Sequence, residues 1–181
     1  GGATGQFAGV PLNLTQPGDT IDFIDTGAWS KKAIKEAGKY CQVNVAASSA
    51  DSNYDHIPEQ HQWQLSGNAK LLHVCSNETI GGVQFKQFPD SSAPLIADMS
   101  SDILSRPVDV NQFGLIYAGA QKNIGPAGLT VIIVRKDLCG HARTETPTFL
   151  DYAVQADAES MYNTPPTYSW YLAGLVFQWA E

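Results

Sequence analysis

Apolar residues in this chain gather in short runs closed by glycine, proline or small polar residues. Thr20–Ile24, Val43–Ala47, Leu71–Val74, Pro94–Met99, Leu115–Ala118 and Leu129–Val134 each read as a strand. Between the first two the period changes. Trp29, Ala33, Ala37 and Tyr40 fall on one face and Lys31, Lys32, Lys35, Glu36 and Lys39 fall elsewhere, which predicts a helix over Trp29–Tyr40. Ser48–Ser66 is polar and irregular, and the chain becomes irregular again from Asp137 through Asp157. Pro165 and Pro166 then precede Thr167–Trp179, a helix start followed by a segment apolar nearly all round, which predicts burial, in part by another subunit. The loop between the last two strands is too short for a helical crossover, so that pair runs antiparallel. The expected fold is α/β, a three-layer α/β/α arrangement around a mixed, mostly parallel sheet.

The stretch with the most chemistry in it is LIYAGAQKNIGPAG, Leu115–Gly128. A strand that ends in small residues and delivers Lys122 into a tight loop puts an amine on a rigid support where the backbone leaves room for a ligand. A lysine is inert while protonated. Desolvation or a neighbouring cation makes it a nucleophile able to condense with a carbonyl compound or with pyridoxal phosphate. Asp98 closes the strand before it, 24 residues earlier, and the carboxyl ends of parallel strands are where open α/β sheets bind ligands. The glycine-rich opening, Gly1 to Gly5, could cradle a phosphate on its backbone N–H groups ahead of a helix, a weak signal by itself.

AGAQKNIGPAGLT, together with ADMSSDILSRPVDV before it and SMYNTPPTYSWYLAGLVF after it, resembles the phosphoserine aminotransferase family, a branch of the class V aminotransferases of fold type I. The similarity runs from Gly1 to Glu181 and is strongest from Ala97 to Trp179. The resemblance implies a pyridoxal phosphate enzyme exchanging the amino group of glutamate with 3-phosphohydroxypyruvate, and residues 1–181 as its cofactor-binding large domain. It assigns Lys122 to covalent attachment of the cofactor and to proton transfer, and Asp98 to the pyridine nitrogen. Trp29 would lie face to face with the ring, and Thr79 beside the ring hydroxyl. Ala3, Thr4 and Gln121 would contact the phosphate, with Asn163 and Thr164 reaching across a homodimer interface to the partner's phosphate. Where family members often carry glycine followed by arginine or cysteine, this chain has Ala3 and Thr4, a hydroxyl without a charge.

Composition narrows the picture. A net charge of −7 with no basic cluster argues against nucleic-acid or anionic-membrane partners. No apolar run is long enough to span a bilayer. Cys41, Cys75 and Cys139 are odd in number and widely spaced, which speaks against disulfides and zinc and for a reducing, cytoplasmic setting. His56, His61 and Glu59 lack ligand spacing, and no metal site is expected. The chain opens without methionine and stops inside an apolar helix, so it reads as a piece of a longer polypeptide. Of its three arginines, Arg106, Arg135 and Arg143, none falls where the resemblance would put a substrate carboxylate, so the substrate half of the site is expected elsewhere. Two other readings stay open. One is another pyridoxal phosphate enzyme of the same fold, a cysteine desulfurase or lyase, although Gln121 stands where those carry a histidine. The other is a cofactor-free structural domain in which Lys122 is an ordinary loop residue.

Overall fold

A computed structural model describes Gly2–Glu181, so Gly1 of the expected opening turn lies outside the described residues. A 3-10 turn, Ala3–Gly5, leads into α1 (Gln6–Leu14), followed by β1 (Thr20–Asp25), α2 (Ala28–Ala37), β2 (Gln42–Ser48) and β3 (Leu71–Cys75). A small antiparallel ladder, β4 (Asn77–Glu78) with β5 (Val83–Gln84), precedes β6 (Leu95–Asp98), β7 (Leu115–Gly119), β8 (Thr130–Val134), α3 (Tyr152–Asp157) and α4 (Thr167–Ala180). The main sheet has six strands in the order β2-β1-β3-β6-β7-β8. Its first five strands are parallel and β8 alone is antiparallel, pairing Leu115 with Val134 and Gly119 with Thr130. The mixed, mostly parallel sheet read from the apolar runs is therefore present.

Side chains alternate across this sheet, and its two faces are covered differently. Ile21, Phe23, Leu71, Ile96, Leu115 and Tyr117 pack on one face against Phe7, Val10 and Leu14 of α1, Ala33 and Ala37 of α2 and Tyr152 of α3. Burying each large apolar side chain here contributes about 1.5–3 kcal/mol. On the other face Ile24, Leu72, Val74, Leu95, Ala97 and Ile116 meet Trp63, Phe85, Met99 and Phe113, all from irregular segments. Turns and 3-10 pieces thus make the covering layer on that side. The 16 residues between β6 and β7 likewise contain no α-helix.

Two expectations need correction. The stretch after Asp137 is not irregular throughout, because α3 forms within it. Asp151 caps α3 by accepting the Ala153 N–H at 2.8 Å, and buried Asn13 ties it to α1 by accepting the Tyr152 N–H at 2.9 Å and donating to the Leu150 carbonyl. Six residues with one cap give no clear helical period, which is why the pattern hid it. Second, α4 is apolar but largely exposed. Only Ser169 and Ala173 are buried, and Trp179, Tyr168 and Tyr171 stand in solvent. Ala173 docks beside Ala118, Ala120 and Ile124, and no other segment of the described chain covers the remaining sides.

Candidate functional site

The carboxyl ends of the parallel strands converge at one edge of the sheet, where β1 ends at Asp25, β3 at Cys75, β6 at Asp98 and β7 at Gly119. A cleft lies there, with about 410 Å³ of empty space counting its open mouth. Ala3 and Thr4 at the foot of α1, Trp29 on α2, Thr79 after β4, Asp98, and Gln121 with Lys122 all line it. Seven of the sequence-predicted site residues, spread over 120 positions, thus meet in one place.

Lys122 lies in a turn held from below. Ala120 is fully buried, its N–H donates to Leu129, and its carbonyl accepts from Ile124 at 3.1 Å and Gly125 at 2.8 Å. Ile124 is fully buried against Ala118 and Ala173, while Gln121 and Lys122 are exposed above it. Gly125 sits where α4 comes close, because a Cβ there would lie 3.5 Å from the Ala173 nitrogen. The lysine therefore has a fixed base and a free end.

Asp98 is 6% exposed. One carboxylate oxygen accepts the Ser100 N–H at 2.9 Å and the Ser100 hydroxyl at 2.5 Å, and that hydroxyl in turn accepts the Gly119 N–H at 3.0 Å. Ser100 thus fastens the acid to the end of the lysine strand. Burial pushes the Asp98 carboxyl up to about 6, against the Ser100 bonds that pull the other way. A buried acid in this state favours any cationic partner that enters the cleft.

Trp29 is placed by the start of α2. Gly27 supplies no capping side chain, and a Cβ on it would fall 2.7 Å from the carboxyl carbon of Glu78. Glu78, fully buried, caps the helix in its stead by accepting the N–H groups of Trp29 at 2.9 Å and Ser30 at 2.7 Å. Ser30 closes the turn by accepting from the N–H groups of Thr26 and Gly27 and donating to Asp25 at 3.1 Å. The Trp29 indole N–H then donates to the Thr79 hydroxyl at 3.2 Å, so both predicted residues are linked by a direct bond.

Asn163 and Thr164 are not brought to this cleft. Both are exposed, and Asn163 lines a separate groove with Gln6, Tyr152 and Pro165. The three arginines also lie away from it. Arg106 donates to the carbonyls of Phe85 and Lys86, Arg135 pairs with Asp137 at 2.6 Å, and buried Arg143 donates to Thr15 and to the Tyr40 carbonyl. Among the described residues no cluster of metal-ligating side chains occurs, and no helix is long and apolar enough to cross a membrane.

Sequence reasoning missed Ser100 and Glu78. A serine two positions after an aspartate is a recognisable local turn signal, so Ser100 could have been found. Glu78 could not, since it reads as part of a polar turn and its partners lie 48 and 49 residues away.

The fold agrees with that of solved relatives. A phosphoserine aminotransferase of Ectopseudomonas mendocina is 63% identical over all of this chain, which covers 50% of that protein. The chain spans about half the length of the curated relatives it matches. Among solved structures, the phosphoserine aminotransferase from Bacillus circulans subsp. alkalophilus is 53% identical, with a TM-score of 0.95 over 99% of this chain and 50% of its own. A pyridoxal phosphate-bound phosphoserine aminotransferase from Trichomonas vaginalis is 42% identical, with a TM-score of 0.92 over 99% of this chain and 51% of its own. The profile of the class-V aminotransferases matches residues 1–181, and the chain belongs to that family.

Proposed function

We propose that this chain is the pyridoxal phosphate-binding large domain of a phosphoserine aminotransferase, which moves the amino group of glutamate onto 3-phosphohydroxypyruvate to give O-phosphoserine and 2-oxoglutarate. One observation carries the reading: an exposed lysine on a rigid turn and a buried acid at the adjacent strand end face the same cleft, with an indole between α2 and Thr79 at its wall.

The lining suits the cofactor piece by piece. Lys122 would hold it covalently, and Asp98, kept from water, would meet the pyridine nitrogen. Trp29 offers a flat face for stacking, and Thr79 a hydroxyl for the ring oxygen. The phosphate would sit at Ala3, Thr4 and Gln121, which line the cleft at the turn into α1, where a helix start favours an anion. Bound there, pyridoxal phosphate supplies an electron sink that stabilises negative charge at the substrate α-carbon.

The chain's own residues then have separate tasks. Asp98 would keep a proton on the pyridine nitrogen. Once displaced by the substrate's own amine, the Lys122 amine, carried on a fixed turn, would take the proton from the substrate α-carbon as general base and give it up again as general acid. Glu78 and Ser100 keep Trp29 and Asp98 in register with that amine.

A homodimer in which Asn163 and Thr164 serve the partner's site belongs to the same proposal, as does a cytoplasmic setting, which three free cysteines support. A desulfurase reading is disfavoured by Gln121, which stands where those enzymes carry a histidine, and by relatives that are phosphoserine aminotransferases at 63% identity. The test is to supply the full-length protein with pyridoxal phosphate, glutamate and 3-phosphohydroxypyruvate. Cofactor absorbance together with O-phosphoserine formation supports the proposal, and cofactor uptake without phosphoserine formation would leave only the fold-level reading.

A further inference from the structure

An arm of the chain, Ser76 to Gln84, holds the β4–β5 ladder and carries Glu78 and Thr79 to the wall of the cleft. On one side it meets the start of α2, through the Glu78 cap and the Trp29–Thr79 bond. On its other side it is fastened to the turn that follows Asp98. There Asp102, 7% exposed, accepts the Ser76 hydroxyl on one carboxylate oxygen and the Gln84 Nε2–H on the other at 3.1 Å. Lys86 donates to the Gln84 Oε1 at 2.9 Å, which leaves the amide nitrogen facing Asp102. Ser101, one residue earlier, donates its hydroxyl to the Asn77 carbonyl at 2.8 Å and accepts from the Asn77 amide at 3.0 Å.

We propose that Ser101 and Asp102 are positioning residues that clasp this arm to the Asp98 turn, and so set Trp29 and Thr79 at the wall in register with Asp98. The sheet alone cannot do this. The start of α2 follows β1, Asp98 ends β6, and β3 lies between those two strands. The arm spans that gap. Asn77 and Gln84 are register partners across the β4–β5 ladder, so two consecutive residues, Ser101 and Asp102, grip both strands of the ladder at one level. The Ser76 N–H completes the join by donating to the Asp98 carbonyl at 3.0 Å.

Asp102 has no other evident task. It is buried, it does not line the cleft, and no lysine or arginine pairs with it among the described residues. A buried acid without a counter-ion is costly unless donors satisfy its oxygens, and both side-chain donors that reach this one belong to the arm. The arm is thus held in series by two buried carboxylates. Asp102 joins it to the acid's turn, and Glu78 joins it to the helix that bears Trp29.

The inference rests on the roles of Trp29 and Thr79 in the proposed function, and it is read first without cofactor. In the full-length protein labelled with 15N-tryptophan, the Trp29 indole N–H resonance, assigned with Trp29→Phe, reports the bond to Thr79. Ser101→Ala removes one grip, and Gln84→Glu sets a second carboxylate against Asp102. Both positions are half-buried, so neither change empties the core. Each should move the indole resonance and raise the dissociation constant for pyridoxal phosphate about tenfold. The double variant Asp102→Asn/Gln84→Glu exchanges donor and acceptor across the same contact and should return both readings to wild type. Arg143→Ala breaks buried bonds away from the cleft, and should lower stability while leaving the resonance in place. An unmoved resonance in either single variant would overturn the proposal, as would a double variant that stays shifted. Failure of the wild-type protein to take up pyridoxal phosphate would sink the proposed function while the indole resonance still judged the clasp.

Discussion

The buried carboxylate of Glu78 accepts the main-chain N–H of Trp29 at 2.9 Å, so the residue that walls the cleft is held by a helix cap from a different part of the chain. Gly27 makes this possible by leaving the space that the carboxylate fills. Glu78→Ala orphans two buried N–H groups and removes an anion from the helix start, and should cost about 3 kcal/mol of stability in urea unfolding. Glu78→Gln keeps one acceptor and should cost about half as much. Equal stability of the alanine variant and wild type would show that water replaces the cap.

Two buried groups give the cofactor-free protein opposite pH dependences. Asp98 titrates near 6 when folded against about 3.8 when unfolded, so folding takes up a proton between those values and stability falls as pH rises through that window. His73 titrates near 3 when folded against 6.5 unfolded, so folding releases a proton and stability falls as pH drops below 6.5. At about 1.4 kcal/mol per unit, each effect is on the order of 3 kcal/mol between pH 4 and pH 7. Asp98→Asn should therefore gain on wild type as pH rises over that range, and His73→Gln should gain on wild type as it falls. Parallel urea midpoints for all three proteins across the range would contradict the burial argument.

Much of the sheet was legible because buried strands leave apolar runs, and Lys122 and Asp98 stood out as candidates because a lysine after a strand and an acid at a strand end keep their local signatures, whereas Trp29, Thr79 and Gln121 were named only by the resemblance. What was not legible depended on distance. Nothing around Glu78 points to the start of α2, and nothing in LLHVC marks His73 as a polar side chain buried against the Tyr117 hydroxyl. The exposure of α4 was misread for a different reason: an apolar periodicity reports what a helix can bury, not whether this stretch of chain supplies the surface to bury it.

A composite dimer site makes a prediction of its own. Asn163 and Thr164 are exposed and away from their own Lys122 cleft, as residues serving a partner would be. Mixing a Lys122→Ala subunit with an Asn163→Ala/Thr164→Ala subunit should restore one working site per heterodimer, or about a quarter of wild-type activity in an equal random mixture. No recovery in any mixture would show that the sites are not shared.

The central claim is that Lys122, on its turn after β7, is the residue that carries the cofactor. Borohydride reduction of the full-length protein loaded with pyridoxal phosphate, followed by proteolysis and mass mapping, should place a pyridoxyl group on Lys122. The label should be lost in Lys122→Ala. A pyridoxyl group on any other lysine, with Lys122 unmodified, would contradict the account.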